Sequence, residues 1–107
     1  MHFGITTTES KRIRAEGIIQ RTPIISVKYL HSTLYRYTAV VSKRQGNAVE
    51  RNRIKRIIRE IMRTKEKIYP HGLYLIYFNK NCKEFNRNHA IKNLDDIINI
   101  ISTKYSS

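Results

Sequence analysis

The chain of 107 residues has no tryptophan, a single cysteine and only eight acidic residues. Each shortage excludes something. Cys82 alone rules out an internal disulfide and any cysteine-cluster metal site, and it suits a reducing, intracellular setting. No run approaches the roughly 18 apolar residues of a membrane-spanning helix. The N-terminal MHFGITTTES lacks the basic-then-apolar plan of a signal peptide, so a cytoplasmic location is expected. Catalytic motifs are missing as well. There is no GxSxG, Walker loop, GxGxxG or HExxH. Asp95 and Asp96 are adjacent near the middle of a predicted helix, where neighbours point about 100° apart and cannot share a proton. Most of the other carboxylates read as helix-surface charges. No catalytic residue, no metal site and no cofactor bound by the protein alone is expected.

What the chain has in excess is positive charge. Lys plus Arg number 21, the net charge is +13, and the pI is near 10.2. That balance speaks to partners rather than fold, with nucleic acid ahead of an anionic membrane surface. The charge is concentrated in residues 43–63, KRQGNAVERNRIKRIIREIMR. Asn47 and Glu50 have capping-box spacing, so a helix starts there and is expected to run over about 48–67. Its apolar residues, Ile54, Ile57, Ile58, Ile61, Met62 and Ile68, fall on one stripe. Asn52, Arg56, Arg59 and Arg63 fall on the opposite stripe, spanning about 16 Å. Arg53 and Lys67 flank that row on one side and Lys55 on the other; Arg51 lies nearer the apolar edge. Like charges four residues apart cost a few tenths of a kcal/mol. A chain that accepts this repulsion has a polyanion to meet. Arg offers a planar fork to phosphate and Asn can read a sugar or base edge.

The remaining chain supplies a small mixed domain. Thr6 and Glu9 again have capping-box spacing, predicting a short helix over about 7–16 that Gly17 stops. Pro23 marks a turn or the start of an edge strand. Residues 24–30 alternate, with Ile25, Val27 and Tyr29 inward and Ser26 and Lys28 outward. Residues 34–43 alternate too, with Tyr37, Ala39 and Val41 inward and Arg36, Thr38, Val40 and Ser42 outward. Two such strands with a short turn predict an antiparallel hairpin with one open polar face. The seven tyrosines, Tyr29, Tyr35 and Tyr37 among them, could stack on bases, though alternation assigns most to packing. Pro70 and Gly72 close the basic helix. Residues 73–78, LYLIYF, are apolar without a break and predict a central strand buried on both faces. A last helix over about 89–102, capped by Asn88, carries Ala90, Ile91, Leu94, Ile97, Ile98 and Ile101 on one stripe. Cys82 reads as a bystander at a strand end. The expectation is one α+β domain over 1–107, ordered α-β-β-α-β-α. It forms a two-layer fold of helices on a small mixed sheet, with 1–5 and 103–107 loose.

The run Lys43-Arg44-Gln45-Gly46-Asn47-Ala48-Val49-Glu50-Arg51-Asn52-Arg53-Ile54-Lys55-Arg56-Ile57-Ile58-Arg59-Glu60 closely resembles the signature of the bacterial ribonuclease P protein component. The likeness is strong over 40–63 and extends weakly, in element order and size, over most of the domain. It implies the small subunit of a ribonucleoprotein endonuclease, with the chemistry on a catalytic RNA that uses Mg2+. The reaction implied is removal of the 5′ leader of precursor tRNA. It also implies a left-handed β-α-β crossover, against the general rule. By this likeness Arg51, Asn52, Arg53, Lys55, Arg56 and Arg59 should bind RNA; Lys43 and Arg44, in the turn before the helix, and Arg63, on its outer stripe, are expected to join them. A leader cleft lies between the open sheet face and the first helix, with Arg14, Ser26, Lys28, Arg36, Thr38 and Val40 as candidates. Family members carry aromatics in that cleft; the matching positions here are Ser10, Arg14 and Lys28. Cationic contacts from Arg14, Lys28 and Arg36 are the expected replacement. The partners implied are the catalytic RNA and precursor tRNA, with no membrane and no protein partner.

Two rival readings start from the same composition. A structural RNA-binding protein, such as a small ribosomal protein, fits charge and size equally, and only the signature separates it. A membrane-surface helix is disfavoured because the apolar stripe lacks Trp and Phe and a two-layer core already needs it.

Overall fold

A computed structural model describes residues 4–105. The elements are α1 (Thr7–Glu16), β1 (Ile18–Arg21), β2 (Ile25–His31), β3 (Tyr35–Val40), α2 (Ala48–Thr64), β4 (Gly72–Phe78) and α3 (Arg87–Tyr105), with short 3-10 turns at Lys43–Gln45 and Cys82–Glu84. The α+β class, the mixed sheet and the central place of β4 are as the sequence predicts. The sheet runs β1-β2-β4-β3, with β1 and β4 antiparallel to β2 and β3 parallel to β4.

That order overturns the predicted hairpin. β2 and β3 are not paired, because β4 lies between them. The reason lies in β4 itself. Every residue from Gly72 to Phe78 except Tyr77 is buried, so this strand needs a neighbour on each side and an apolar layer on each face. The true hairpin joins β2 to β1, a four-residue strand that the sequence reading missed. Its turn is held by Thr22, whose Oγ1 accepts from the N–H groups of Ile24 and Ile25 at 3.1 and 3.0 Å. Asn79 N–H donates to Ile24 O at 2.8 Å and ties the end of β4 to that turn.

The main core lies between the sheet and the pair α2 and α3. Ile25, Val27, Tyr29, Tyr74, Ile76 and Phe78 face Ile54, Ile57, Ile58, Ile61 and Met62 of α2. From α3 come Ala90, Leu94, Ile97, Ile98 and Ile101. α1 lies on the other face, where Ile13, its single buried residue, packs on Leu73 and Leu75. Gly17 permits this approach. A Cβ there would stand 2.5 Å from Ile13 O and 2.7 Å from Tyr29 O, so the short chain between α1 and β1 needs glycine for closeness.

Several boundaries move. α2 stops at Thr64 rather than near 67. Thr64 Oγ1 donates to Ile61 O at 2.7 Å and Lys65 N–H reaches back to Met62 O, which tightens the last turn and ends the helix. Ile68, assigned to the apolar stripe, therefore leaves the helix and is 73% exposed. α3 begins at Arg87, and its first turn is capped by Asn86, whose Oδ1 accepts from His89 N–H at 3.1 Å, not by Asn88. Helix continues through Tyr105, into the stretch expected to be loose. Ile5, likewise expected loose, donates its N–H to Thr38 Oγ1 at 2.8 Å. Residues 1–3 and 106–107 of the two predicted loose ends lie outside the described residues. Cys82 sits in a 3-10 turn rather than at a strand end; it is buried, which pushes its thiol pKa up.

Candidate nucleic-acid interface

The signature run folds as a turn and a helix, each fastened from behind. Gln45 makes the turn. Its Oε1 accepts from Ser42 N–H at 2.7 Å, and its Nε2 donates to Phe78 O and Lys80 O at 2.5 and 2.6 Å. Lys43 and Arg44, in a turn with no buried residue, are exposed. Gly46 follows, packed so closely that a Cβ would stand 2.8 Å from Cys82 Sγ and 2.9 Å from Glu50 Oε1. The expected capping box is present: Asn47 Oδ1 accepts from Glu50 N–H, and Glu50 Oε1 from Asn47 N–H, both at 2.9 Å.

From this start α2 divides as its periodicity predicts. Ile54, Ile57, Ile58, Ile61 and Met62 are buried, while Asn52, Arg53, Arg56, Arg59 and Arg63 are exposed. Arg51 and Lys55 are half-buried at the boundary. Arg51 Nε donates to Gly46 O at 3.1 Å, so that guanidinium also braces the turn. The helix's acids do not neutralise its cations. Glu50 serves the cap, and Glu60 pairs with Arg87 at 3.7 Å. None of the four ion pairs among the described residues uses an α2 cation. Six positive side chains on one helix thus lack an acid partner.

Five of the six cleft candidates also come together, but through β4 rather than through a hairpin. Ser26 and Val40 flank Tyr77 in register, Lys28 and Thr38 flank Leu75, and Arg36 lies beside Leu73. Much of this set is already engaged. Arg36 Nη1 contacts both carboxylate oxygens of Glu9 at 3.2 and 3.3 Å, pinning α1 to β3. Glu9 in turn accepts from the Thr6 backbone N–H, and that bond, with Arg36 beside it, holds its carboxyl below the ordinary value of 4.5. Thr38 is taken by Ile5, and Ser26 Oγ accepts from Asn79 Nδ2 at 2.9 Å. Arg14 stays exposed on α1. Lys28 Nζ lies 5.4 Å from the ring centre of Tyr77.

Tyr77 is a residue that sequence reasoning missed. It was absorbed into an unbroken apolar run, yet it is the half-buried member of β4 and stands on the open face. Parity carries the signal: Leu73, Leu75 and Tyr77 share a face on which α1 offers only Ile13 as cover. A second missed feature is a cleft of about 810 Å³ between β3 and α2, lined by Tyr35, Tyr37, Ala39, Arg56, Arg59 and Arg63 among others. Asp95, read as a solvated helix charge, instead accepts from Tyr69 Oη at 2.6 Å and pairs with Lys65 at 3.4 Å. Among the described residues no group of three or more His, Cys, Asp or Glu side chains could hold a metal ion. Nor, among the described residues, is any helix long and apolar enough to cross a membrane.

The family model described as Ribonuclease P matches residues 5–102. The chain belongs to that family. The signature turn and helix, the sheet and all three helices lie within the matched span, save the last residues of α3. Similar curated relatives are ribonuclease P protein components. That of Coprothermobacter proteolyticus is 40% identical over 65 residues, covering 61% of this chain and 55% of the relative. That of Thermus scotoductus is 47% identical over 53 residues, covering 50% and 32%. The chain thus spans about half or less of the length of the curated relatives it matches. Among solved structures, the RNase P protein of Staphylococcus aureus superposes with a TM-score of 0.82 at 23% identity, covering 94% of this chain and 96% of that one. The RNase P protein from Thermotoga maritima gives 0.78 at 20%, covering 91% and 96%. At those identities the likeness concerns the fold alone.

Proposed function

We propose that this chain is the protein subunit of a ribonuclease P ribonucleoprotein. In this reading it binds a catalytic RNA and the 5′ leader of precursor tRNA and promotes endonucleolytic removal of the leader. The RNA holds Mg2+ and performs the phosphodiester hydrolysis; the protein contributes no catalytic residue. A cytoplasmic setting goes with this role.

One observation carries the reading: within the family match, α2 presents six cations without an acid partner, held rigidly on a buried apolar face. Forked guanidinium donors on a rigid element suit phosphates whose positions are set by a folded RNA. In this assignment Lys43, Arg44, Asn52, Arg53, Lys55, Arg56, Arg59 and Arg63 meet the catalytic RNA, and Arg51 both meets it and braces the turn. Lys28 and Arg14 are the cleft cations left to meet the leader, since Arg36 is committed to Glu9.

The test is to add the purified chain to ribonuclease P RNA at low magnesium and follow 5′ cleavage of precursor tRNA. Stimulated cleavage at the mature 5′ end is expected. Binding without stimulation would overturn the assignment in favour of a structural RNA-binding role. Affinity that barely changes with salt would count against any phosphate-based reading.

A further inference from the structure

We infer that the cleft between β3 and α2 receives an unpaired RNA nucleotide, with its base against Tyr37 and its phosphate on Arg59 and Arg63. The inference rests on reading the outer face of α2 as an RNA surface.

Three features build the site. The first is space. The cleft's volume, about 810 Å³, lies within the roughly 300–1,000 Å³ of small-ligand sites. It exists because β3 is an edge strand and because Ala39, the smallest side chain on that face of the strand, follows Tyr37 in alternation. The second is a braced aromatic. Tyr35 Oη donates to Met62 O at 2.6 Å, which locks that ring against α2. Tyr37 packs on it edge-on, with ring centres 5.6 Å apart at 62°. Tyr37 itself is half-buried, and its hydroxyl makes no hydrogen bond among the described residues. The third is charge. Burial raises the Tyr37 pKa, and Arg63 and Arg59 stand near enough to oppose that rise. Of the two acids on the rim, Glu60 is drawn off by Arg87, which leaves Glu66 against Lys55, Arg56, Arg59 and Arg63.

An aromatic face beside forked cations is the chemistry that takes a splayed-out base with its phosphate. A duplex keeps its bases stacked and offers no ring to the cleft, so it would use the arginines alone. An acidic peptide would also use the arginines and leave Tyr37 without a counterpart. The ring is therefore what distinguishes the occupant.

The test uses the full chain and a short single-stranded RNA carrying one 2-aminopurine, with a duplex of the same sequence for comparison. The wild-type chain should quench the 2-aminopurine on binding. Tyr37→Leu keeps an apolar side chain at the rim and should weaken single-strand binding on the order of 10-fold, with the quench lost. Duplex affinity should be unchanged. Tyr37→Phe keeps the ring and should retain both affinity and quench, and thermal melts establish that both variants fold. Equal loss for single strand and duplex, or wild-type quenching by Tyr37→Leu, would overturn the inference. So would an acidic peptide whose own affinity falls as much as the single strand's. The two readings fail separately. If the chain does not stimulate precursor tRNA cleavage but Tyr37→Leu selectively weakens single strands, the cleft assignment stands and the proposed function falls. If stimulation is normal and Tyr37→Leu binds both RNAs as wild type, the cleft assignment falls alone.

Discussion

Replacing Arg56 and Arg59 together with glutamine should weaken RNA binding and leave the fold intact. Both side chains are exposed, and neither takes part in any ion pair among the described residues. The one internal bond lost is from Arg59 Nε to Lys55 O at 3.3 Å, along the helix's own surface. Against it, Arg59 stands four residues from both Lys55 and Arg63, so its removal relieves two like-charge pairs worth a few tenths of a kcal/mol each. Stability should therefore hold or rise slightly. Binding should respond differently. Each phosphate contact contributes about 0.7–0.9 to the slope of log K against log salt. If the exposed cations Lys43, Arg44, Arg53, Arg56, Arg59 and Arg63 each meet one phosphate, the wild-type slope is about −4 to −5. The double variant should flatten it by about 1.4–1.8. Fluorescence anisotropy on ribonuclease P RNA across a potassium chloride series measures the slope, and circular dichroism melts measure the fold. Arg36→Gln is the contrasting control. It breaks the contact with Glu9 and should cost up to about 1 kcal/mol of stability with little change in slope. An unchanged slope in the double variant would refute the reasoning. So would a melting temperature lowered by more than about 4 °C, the shift that about 1 kcal/mol produces in a domain of this size.

Three further outcomes test the scaffold. Glu9 has a folded-state pKa below 4.5, so its stabilisation is present above that value and is lost as pH falls through the lower folded-state value. Melts at falling pH should show wild type and Glu9→Gln converging below the ordinary carboxylate range, and parallel curves throughout would exclude a role for the Thr6 and Arg36 contacts. Ile58→Ala removes a side chain with 0% exposure from the α2 face of the core and should cost about 2–5 kcal/mol in urea unfolding, at unchanged salt slope. Gly46→Ala places a methyl 2.8 Å from Cys82 Sγ and should cost about 1–3 kcal/mol. Cys82→Ala in the same chain should recover part of that loss, and strict additivity of the two changes would show that they do not touch.

What the sequence disclosed followed distance along the chain. The caps at Asn47 and Thr6, the division of α2 and the apolar stripe of α3 are all written within four or five residues, and each is present. The pairing of β2 with β4 joins Ser26 to Tyr77 across 51 positions, and no local pattern announces it. The turn between β2 and β3 is visible locally, so it suggested a hairpin; the demand of β4 for two neighbours is a property of the assembled sheet. β1 was hidden because four residues show too little alternation to register. The candidate site divided the same way. Arginines facing away from isoleucines could be read by counting. The commitment of Arg36 to Glu9, and the exposure of Tyr77 at the end of a buried strand, depend on how far α1 reaches over the sheet.

The energetics of α2 explain how one helix can anchor the core and still present cations without an acid partner. Burying Ile54, Ile57, Ile58, Ile61 and Met62 is worth at most about 7–15 kcal/mol relative to an extended chain. The like-charge pairs Arg51 with Lys55, Lys55 with Arg59 and Arg59 with Arg63 cost together about 1 kcal/mol. The apolar face wins by several-fold, so the opposite face is free to take any charge without deciding whether the helix forms. A helix held mainly by its own surface pairs would need its acids for Lys and Arg four residues away. Here Glu50 is spent on the cap and Glu60 on Arg87 of α3. Both acids act at joints of the fold, and the outer cations stay without a partner on a surface that core packing holds rigid. That separation sets what Arg59 variants can reveal: a loss of binding there measures contact with RNA, because the fold does not depend on the charge.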